Sequence, residues 1–438
     1  RASLRRYDHH LCHLFSAAYT SGLPECLVVS IDGFGDGLAG RVAVFKHGKL
    51  RQVTLTPIFH SIGVYYLFAT NLCGFAKVYH CGKTTGLAAY VAPGGKALGY
   101  FRRVIAFDPR RGAIVNRGRF LYAALGEMRR ELAGVSREEI AAAIQAVSEE
   151  VTVAFVRHWL RATGQHHLVL TGGFFANVKL NQRVAAIPGV ERIFIHPHMG
   201  DGGLATGAAY GAALEFEPAA ERPTPYRLSH VFLGSDLSGE NLPRLLQEAS
   251  LTFSQPADID HEVAKLLTEG KVVARVAGSM EYGPRALGNR SILYQATDPT
   301  VNTWLNQKLK RSEFMPFAPM VLEEDAPKLF RGYSEQNAHA AEFMTITYDV
   351  TDQCKRESPA VVHVDGTARP QVIREAVNPH CFRILRRYRE LTGLHAIINT
   401  SYNMHDEPIV RTAEDAIRAF LASKLDYLVL DDYLARRP

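Results

Sequence analysis

The stretch His167-Leu-Val-Leu-Thr-Gly-Gly-Phe-Phe-Ala-Asn177, with its continuation Arg192-Ile-Phe-Ile-His-Pro-His-Met-Gly-Asp-Gly-Gly203, decides the fold. Each part is a short apolar run that ends in a glycine turn and gives way to a helical pattern: Ala176 to Val184 after the first, Leu204 to Glu215 after the second. Strands that alternate with helices build an α/β sheet, and glycines at the C-terminal ends of its strands are where such sheets bind ligands.

The same grammar extends outward. A helix is expected from about Asp8 to Thr20, with Leu11, Leu14, Phe15 and Ala18 at helical spacing, stopping before Gly22 and Pro24. A strand, Cys26 to Ile31, follows and runs into the loop Asp32-Gly-Phe-Gly-Asp-Gly37; Arg41 to Phe45 and Leu50 to Leu55 then read as a hairpin. Ser136-Arg-Glu-Glu139 is a capping box that opens a long helix to about Ala162, closed by Gly164. From Glu217 to Arg227 the chain is Pro-rich and polar, as a linker would be, and a second α/β segment begins near Ser229. The expected domains are therefore 1–228 and 229–438, with no internal repeat.

Composition narrows the function. The 438 residues are 47% hydrophobic and 21% charged, enough for two ordinary cores. The +6 charge is spread over short clusters such as Arg102-Arg103 and Arg129-Arg130, whereas a nucleic-acid footprint is more concentrated, so no nucleic-acid partner is expected. No apolar run reaches the roughly 20 residues of a membrane span, and the six cysteines form no C-x-x-C pair. Both features point to a cytoplasmic protein with reduced thiols and no membrane partner. The first residue is Arg rather than Met, which suggests that a segment has been removed or renumbered away.

Two constellations carry chemistry. His9 and His13, four apart on the first helix, project from one face, and Asp32 and Asp201 stand at strand exits where side chains converge above a sheet. Two imidazoles with carboxylates suit Fe²⁺, Zn²⁺ or Mn²⁺ better than Ca²⁺. The alternative for the pair is two polar residues on an exposed helix face, and for Asp32 ordinary turn chemistry. Three glycine turns, Asp32–Gly37, Thr171–Gly173 and Gly200–Gly203, could hold phosphate oxygens on backbone N–H groups. Gly82-Lys83-Thr84 is not a P-loop, because Lys77 stands where its first glycine would fall.

The second constellation is cationic. Arg285, Lys310, Arg311 and Arg369 lie among Gly, Pro and apolar residues in turn-rich stretches, which favours partial burial and pairing with an anion over plain surface charge.

With Met280-Glu-Tyr-Gly-Pro-Arg-Ala-Leu-Gly-Asn-Arg-Ser291, His9-His-Leu-Cys-His13 and Asn399-Thr-Ser-Tyr-Asn403 in view, the chain resembles the O-carbamoyltransferase family of nodulation-factor and antibiotic biosynthesis. The resemblance implies an actin/Hsp70-like domain, similar to the tRNA threonylcarbamoyl-transferase subunit, followed by a YrdC-like α/β domain, similar to threonylcarbamoyl-adenylate synthase. It implies a metal, usually iron, on His9, His13, Asp32 and Asp201. It implies a nucleotide cradle with Gly33, Gly35, Gly172, Gly173, Asn177, Gly200 and Gly202, for ATP with Mg²⁺. In the second domain it implies catalytic Arg285, Lys310, Arg369 and Ser401, with Arg311 and Asn403 on the nucleotide.

The implied route joins carbamoyl phosphate and ATP into carbamoyl-adenylate, then passes the carbamoyl group to a hydroxyl of a small acceptor, over a path that protects the labile adenylate. Family members normally start earlier, with a strand-hairpin that contributes to acceptor binding and is missing here, and many carry Arg where Ser279 stands. Competing readings are a tRNA-modifying threonylcarbamoyl enzyme, which would show a continuous basic surface, and a non-catalytic actin-like ATP-binding protein, which would need no anion pocket. The hydrogenase-maturation carbamoyltransferase is similar in both domains but adds an acylphosphatase-like domain and zinc-binding cysteine pairs. The acceptor and the oligomeric state are left open.

Overall fold

A computed structural model describes residues 4–309 and 317–438. The chain forms two compact units: residues 1–228 with 335–340, and residues 229–334 with 341–438.

The first unit is built on a five-stranded sheet in the order Lys49–Pro57, Leu38–Lys46, Glu25–Gly35, His167–Thr171, Arg192–Ile195. The last three strands run parallel and the first two are a hairpin added antiparallel. Cys26, Leu27, Val28 and Val29 are fully buried, because the central strand is covered on both faces; that is why it reads as an unbroken apolar run. The capping-box helix spans Arg137–Thr163, with both reciprocal bonds between Ser136 and Glu139 in place and Gly164 closing it in the left-handed conformation. Helices His9–Thr20 and Leu204–Phe216 cross so closely that a Cβ on Gly207 would overlap the Cys12 carbonyl.

Three expectations need correction. The first strand does not end at Ile31: it continues through Asp32 to Gly35 across a bulge, so Asp32–Gly37 is strand plus the tight turn Asp36-Gly37, rather than a strand-exit loop. The cause is pairing with Leu38 across a turn whose two residues both take positive φ, the geometry a two-residue hairpin needs. The next hairpin likewise turns on His47-Gly48 alone. The helix expected from Ala176 begins at Val178, because Gly173–Ala176 is a short 3₁₀ turn and the Asn177 side chain caps the helix by accepting from Leu180 N–H.

The second unit carries an eight-stranded mixed sheet in the order Gln371–Ile373, Ala318–Leu322, Ala396–Ser401, Arg290–Gln295, Val273–Val276, Tyr427–Leu430, Tyr433–Arg436, Thr252–Ser254. Apolar side chains alternate between its faces. Val273, Leu293, Ile397 and Val429 pack under helices Ile259–Thr268 and Pro379–Thr392, while Ala274, Ile292, Ile398 and Leu428 join the opposite cluster with Leu246 and Phe420. Among the described residues no helix is long and apolar enough to cross a membrane.

Candidate metal centre and anion site

His9 and His13 sit on the first two turns of their helix, whose cap Asp8 accepts from Leu11 N–H and is held by Arg41. The His13 Nε2 lies 3.0 Å from Asp32 Oδ2 and 3.7 Å from Asp201 Oδ1; for His9 Nε2 the distances are 3.5 and 3.6 Å. One donor atom from each residue falls within 4.8 Å of the other three. A single ion at about 2.0–2.2 Å from each donor fits such a set. The His9 Nε2 is buried without a hydrogen-bond partner, an orphaned donor aimed at Asp32. The residues therefore fit a divalent metal.

Electrostatics agree. Burial works against a charged His13, but the Asp201 and Asp32 carboxylates outweigh it and hold the imidazole above its usual pKa. Burial likewise works against an ionised Asp32, yet His13, His9 and the Gly33 N–H hold that carboxyl far below the ordinary range. Both shifts have one cause, the close approach of the imidazoles to the two carboxylates. His10 points elsewhere: its Nδ1 meets the Ser30 hydroxyl at 2.9 Å, and burial lowers its pKa to about 4.

Several expected glycines gather around Asp32. Gly33 N–H donates to Asp32 Oδ1 at 2.6 Å, and a Cβ on Gly35 would overlap the His9 ring. Gly172, at φ 92° and pressed against the Ile31 carbonyl, donates to Met199 O at 2.7 Å, which joins its turn to the loop bearing Gly200, Asp201 and Gly202. A Cβ on Gly173 would stand 3.0 Å from Asp32 Oδ1. Asn177 is placed differently: its amide pairs with Gln145 and caps its own helix.

In the second unit Arg285 and Arg369 are each partly reached by solvent and otherwise surrounded by protein. Burial lowers the Arg285 pKa to about 10, and burial together with the Arg285 charge pushes Arg369 well down. Neither has a carboxylate partner among the described residues, and the Arg285 Nε is buried without any partner. Ser401 Oγ donates to Asn403 Oδ1 at 2.6 Å, and the Asn403 amide binds the Met404 and Glu407 carbonyls, folding the turn after the strand. Lys310 and Arg311 lie outside the described residues. Ser279 lines a cavity of about 430 Å³ together with Arg275.

Sequence reasoning quoted the loop around Arg285 but missed what shapes it. Glu281 Oε1 accepts from the N–H groups of Leu287, Asn289 and Arg290 at 2.7, 2.9 and 3.2 Å. The fully buried Arg290 binds the carbonyls of Ser235 and Gly278, and Arg275 binds Gly288 O at 2.6 Å. A run of Glu, Asn and Arg inside an otherwise apolar strand entry was the available signal, since such groups are buried only when fully bonded.

With this geometry established, comparison places the chain. Residues 1–210 match the family described as Carbamoyltransferase N-terminus, and residues 264–437 match Carbamoyltransferase C-terminus. The chain belongs to the carbamoyltransferase family and is a carbamoyltransferase enzyme. Its relatives include nodulation protein NolO of Bradyrhizobium diazoefficiens, 33% identical over 98% of this chain and 79% of its own length. An uncharacterised protein of Methanocaldococcus jannaschii is 31% identical over 100% of this chain and 74% of its own. Among solved structures, full-length HypF in a phosphate- and nucleotide-bound form is similar at 20% identity over 42% of this chain and 22% of that one, with a TM-score of 0.29.

Proposed function

We propose that the protein is an ATP-dependent O-carbamoyltransferase whose second unit, YrdC-like, makes carbamoyl-adenylate and whose first unit, actin/Hsp70-like, transfers the carbamoyl group to a hydroxyl of a small molecule. The observation that carries this reading is the pair Arg285 and Arg369: two guanidinium groups close to each other in one unit with no carboxylate beside them among the described residues. Buried cations without counter-ions are costly in the empty protein and are offset when an anion arrives. A dianionic phosphate ester of small size meets that demand, and carbamoyl phosphate is such a compound.

The chemistry balances with one water. Water cleaves carbamoyl phosphate to carbamate and phosphate; a carbamate oxygen then attacks the α-phosphorus of ATP, forming the mixed anhydride and releasing pyrophosphate. Both partners are anions, so fixed cations offset their repulsion. Arg285, Arg369 and Lys310 are assigned that role, with Ser401 on the small anion and Arg311 and Asn403 on the nucleotide. In the transfer step the acceptor hydroxyl attacks the carbamoyl carbon and AMP leaves.

His9, His13, Asp32 and Asp201 would hold the metal, with Fe²⁺ favoured and Zn²⁺ or Mn²⁺ compatible, beside the turns that carry Gly33, Gly35, Gly172, Gly173, Gly200 and Gly202, where the Gly33 and Gly172 N–H groups are already given to Asp32 Oδ1 and Met199 O. Such an ion would supply Lewis acidity to a phosphate leaving group. The protein's own residues orient that phosphate against the glycine turns. Cytoplasmic carbamoyl phosphate and ATP, the latter with Mg²⁺, would be its substrates.

The test is release of phosphate and pyrophosphate on mixing protein, ATP and carbamoyl phosphate, first alone and then with candidate alcohols. Slow release without alcohol, accelerated by the right alcohol, is expected. Release that requires threonine in place of carbamoyl phosphate would transfer the reading to a tRNA-modifying enzyme.

A further inference from the structure

The segments that carry Arg285, Arg369 and Ser401 come from distant parts of the chain. One side chain touches the frame of all three. Gln371 begins the strand Gln371–Ile373, two residues after Arg369, and is 2% exposed. Its Nε2 donates to the Leu287 carbonyl at 2.7 Å, in the loop that presents Arg285. Its Oε1 accepts from Asn399 Nδ2 at 2.6 Å, on the strand Ala396–Ser401 that ends at Ser401. Asn399 Nδ2 also donates to the Ala286 carbonyl at 3.1 Å, so the two amides close a buried triangle directly behind Arg285.

From this geometry we propose that Gln371 is a positioning residue for the anion site: through Leu287 and Asn399 it sets the guanidinium of Arg285 in register with Arg369 and Ser401. This rests on the function proposed above. Arg285 needs such support because its burial is uncompensated. Glu281 ties the N–H groups of its loop at Leu287, Asn289 and Arg290, and the loop's carbonyls need partners of their own. Ala286 O and Leu287 O are the carbonyls immediately following Arg285, and both are tied by this pair of amides. A side chain that locks the support without touching the ligand is how a site keeps its geometry within a fraction of an ångström.

The test is a double-mutant cycle on adenylate formation by the intact protein, read as isotope exchange between pyrophosphate and ATP in the presence of carbamoyl phosphate. Gln371→Met, close in size and without hydrogen-bonding groups, is compared with wild type, then repeated in an Arg285→Ala background. The expected result is a tenfold or larger loss of kcat/KM for carbamoyl phosphate with Arg285 present and less than a twofold further loss with it absent.

Equal losses in both backgrounds would mean that Gln371 acts on the fold at large, and no loss with Arg285 present would mean that it does not act at all; either result overturns the proposal. Gln371→Glu keeps the acceptor for Asn399 and loses the donor to Leu287, so it reads the same bond should the methionine variant fail to fold. If Arg285→Ala alone leaves kcat/KM for carbamoyl phosphate unchanged, the assignment of the anion site fails first, and the role of Gln371 falls with it.

Discussion

Arg285→Ala should lower kcat/KM for carbamoyl phosphate a hundredfold or more, about 3 kcal/mol, while the protein stays as stable as before or becomes more stable. The two halves of this expectation have one cause. Burial lowers the Arg285 pKa to about 10, and burial together with the neighbouring Arg285 charge lowers that of Arg369, so the free protein holds two cations that repel each other and find no carboxylate among the described residues. Removing one relieves that repulsion and its desolvation cost, which favours folding. The same removal deprives a bound phosphate of a charge-assisted contact in a water-poor site, where such contacts are strongest. Thermal melting beside steady-state kinetics checks both halves. Loss of activity with an equally large loss of stability would mean that Arg285 holds the structure and not a ligand.

His13→Ala should abolish bound metal and slow carbamoyl transfer a hundredfold or more, yet leave carbamoyl phosphate-dependent pyrophosphate release, measured without alcohol, within about threefold of wild type. The imidazole is fully buried, and of the two imidazoles its Nε2 lies nearer to Asp32, so its loss removes a ligand that water can replace only weakly. Elemental analysis of the purified variant, alongside separate assays of pyrophosphate and carbamate ester, gives the answer. Equal loss of both activities would contradict the division of labour between the two constellations.

How much of this was legible depended on the range over which each feature is encoded. The histidine pair was legible because both members lie on one helix at a spacing of four, and Asp201 because a glycine turn follows its strand; Asp32 was picked as a strand-exit residue although its strand runs on to Gly35. The extension of the first strand past Asp32 was not, since only pairing with Leu38 across Asp36-Gly37 creates it. Asn177 stood in a glycine-rich turn and was grouped with the nucleotide cradle, but its amide is used by Leu180 N–H and Gln145. A helix cap and a ligand contact look alike in sequence when both follow a turn. Gln371 gave no signal at all. Its partners are 84 and 28 positions away, and one polar residue ahead of Val372 and Ile373 changes no periodicity. Glu281 and Arg290 are intermediate cases, visible as buried-type charges but assignable only once their backbone partners are known.

The central claim is that cations in one unit build the activated carbamoyl group and a metal held by His9, His13, Asp32 and Asp201 in the other serves only its transfer. Wild-type protein stripped of metal by a chelator, then supplied with ATP, carbamoyl phosphate and an accepted alcohol, tests it most directly. Phosphate and pyrophosphate should still be released while carbamate ester fails to form, and ferrous iron should restore the ester. Pyrophosphate release that stops together with ester formation, or ester that forms undiminished without metal, would contradict it.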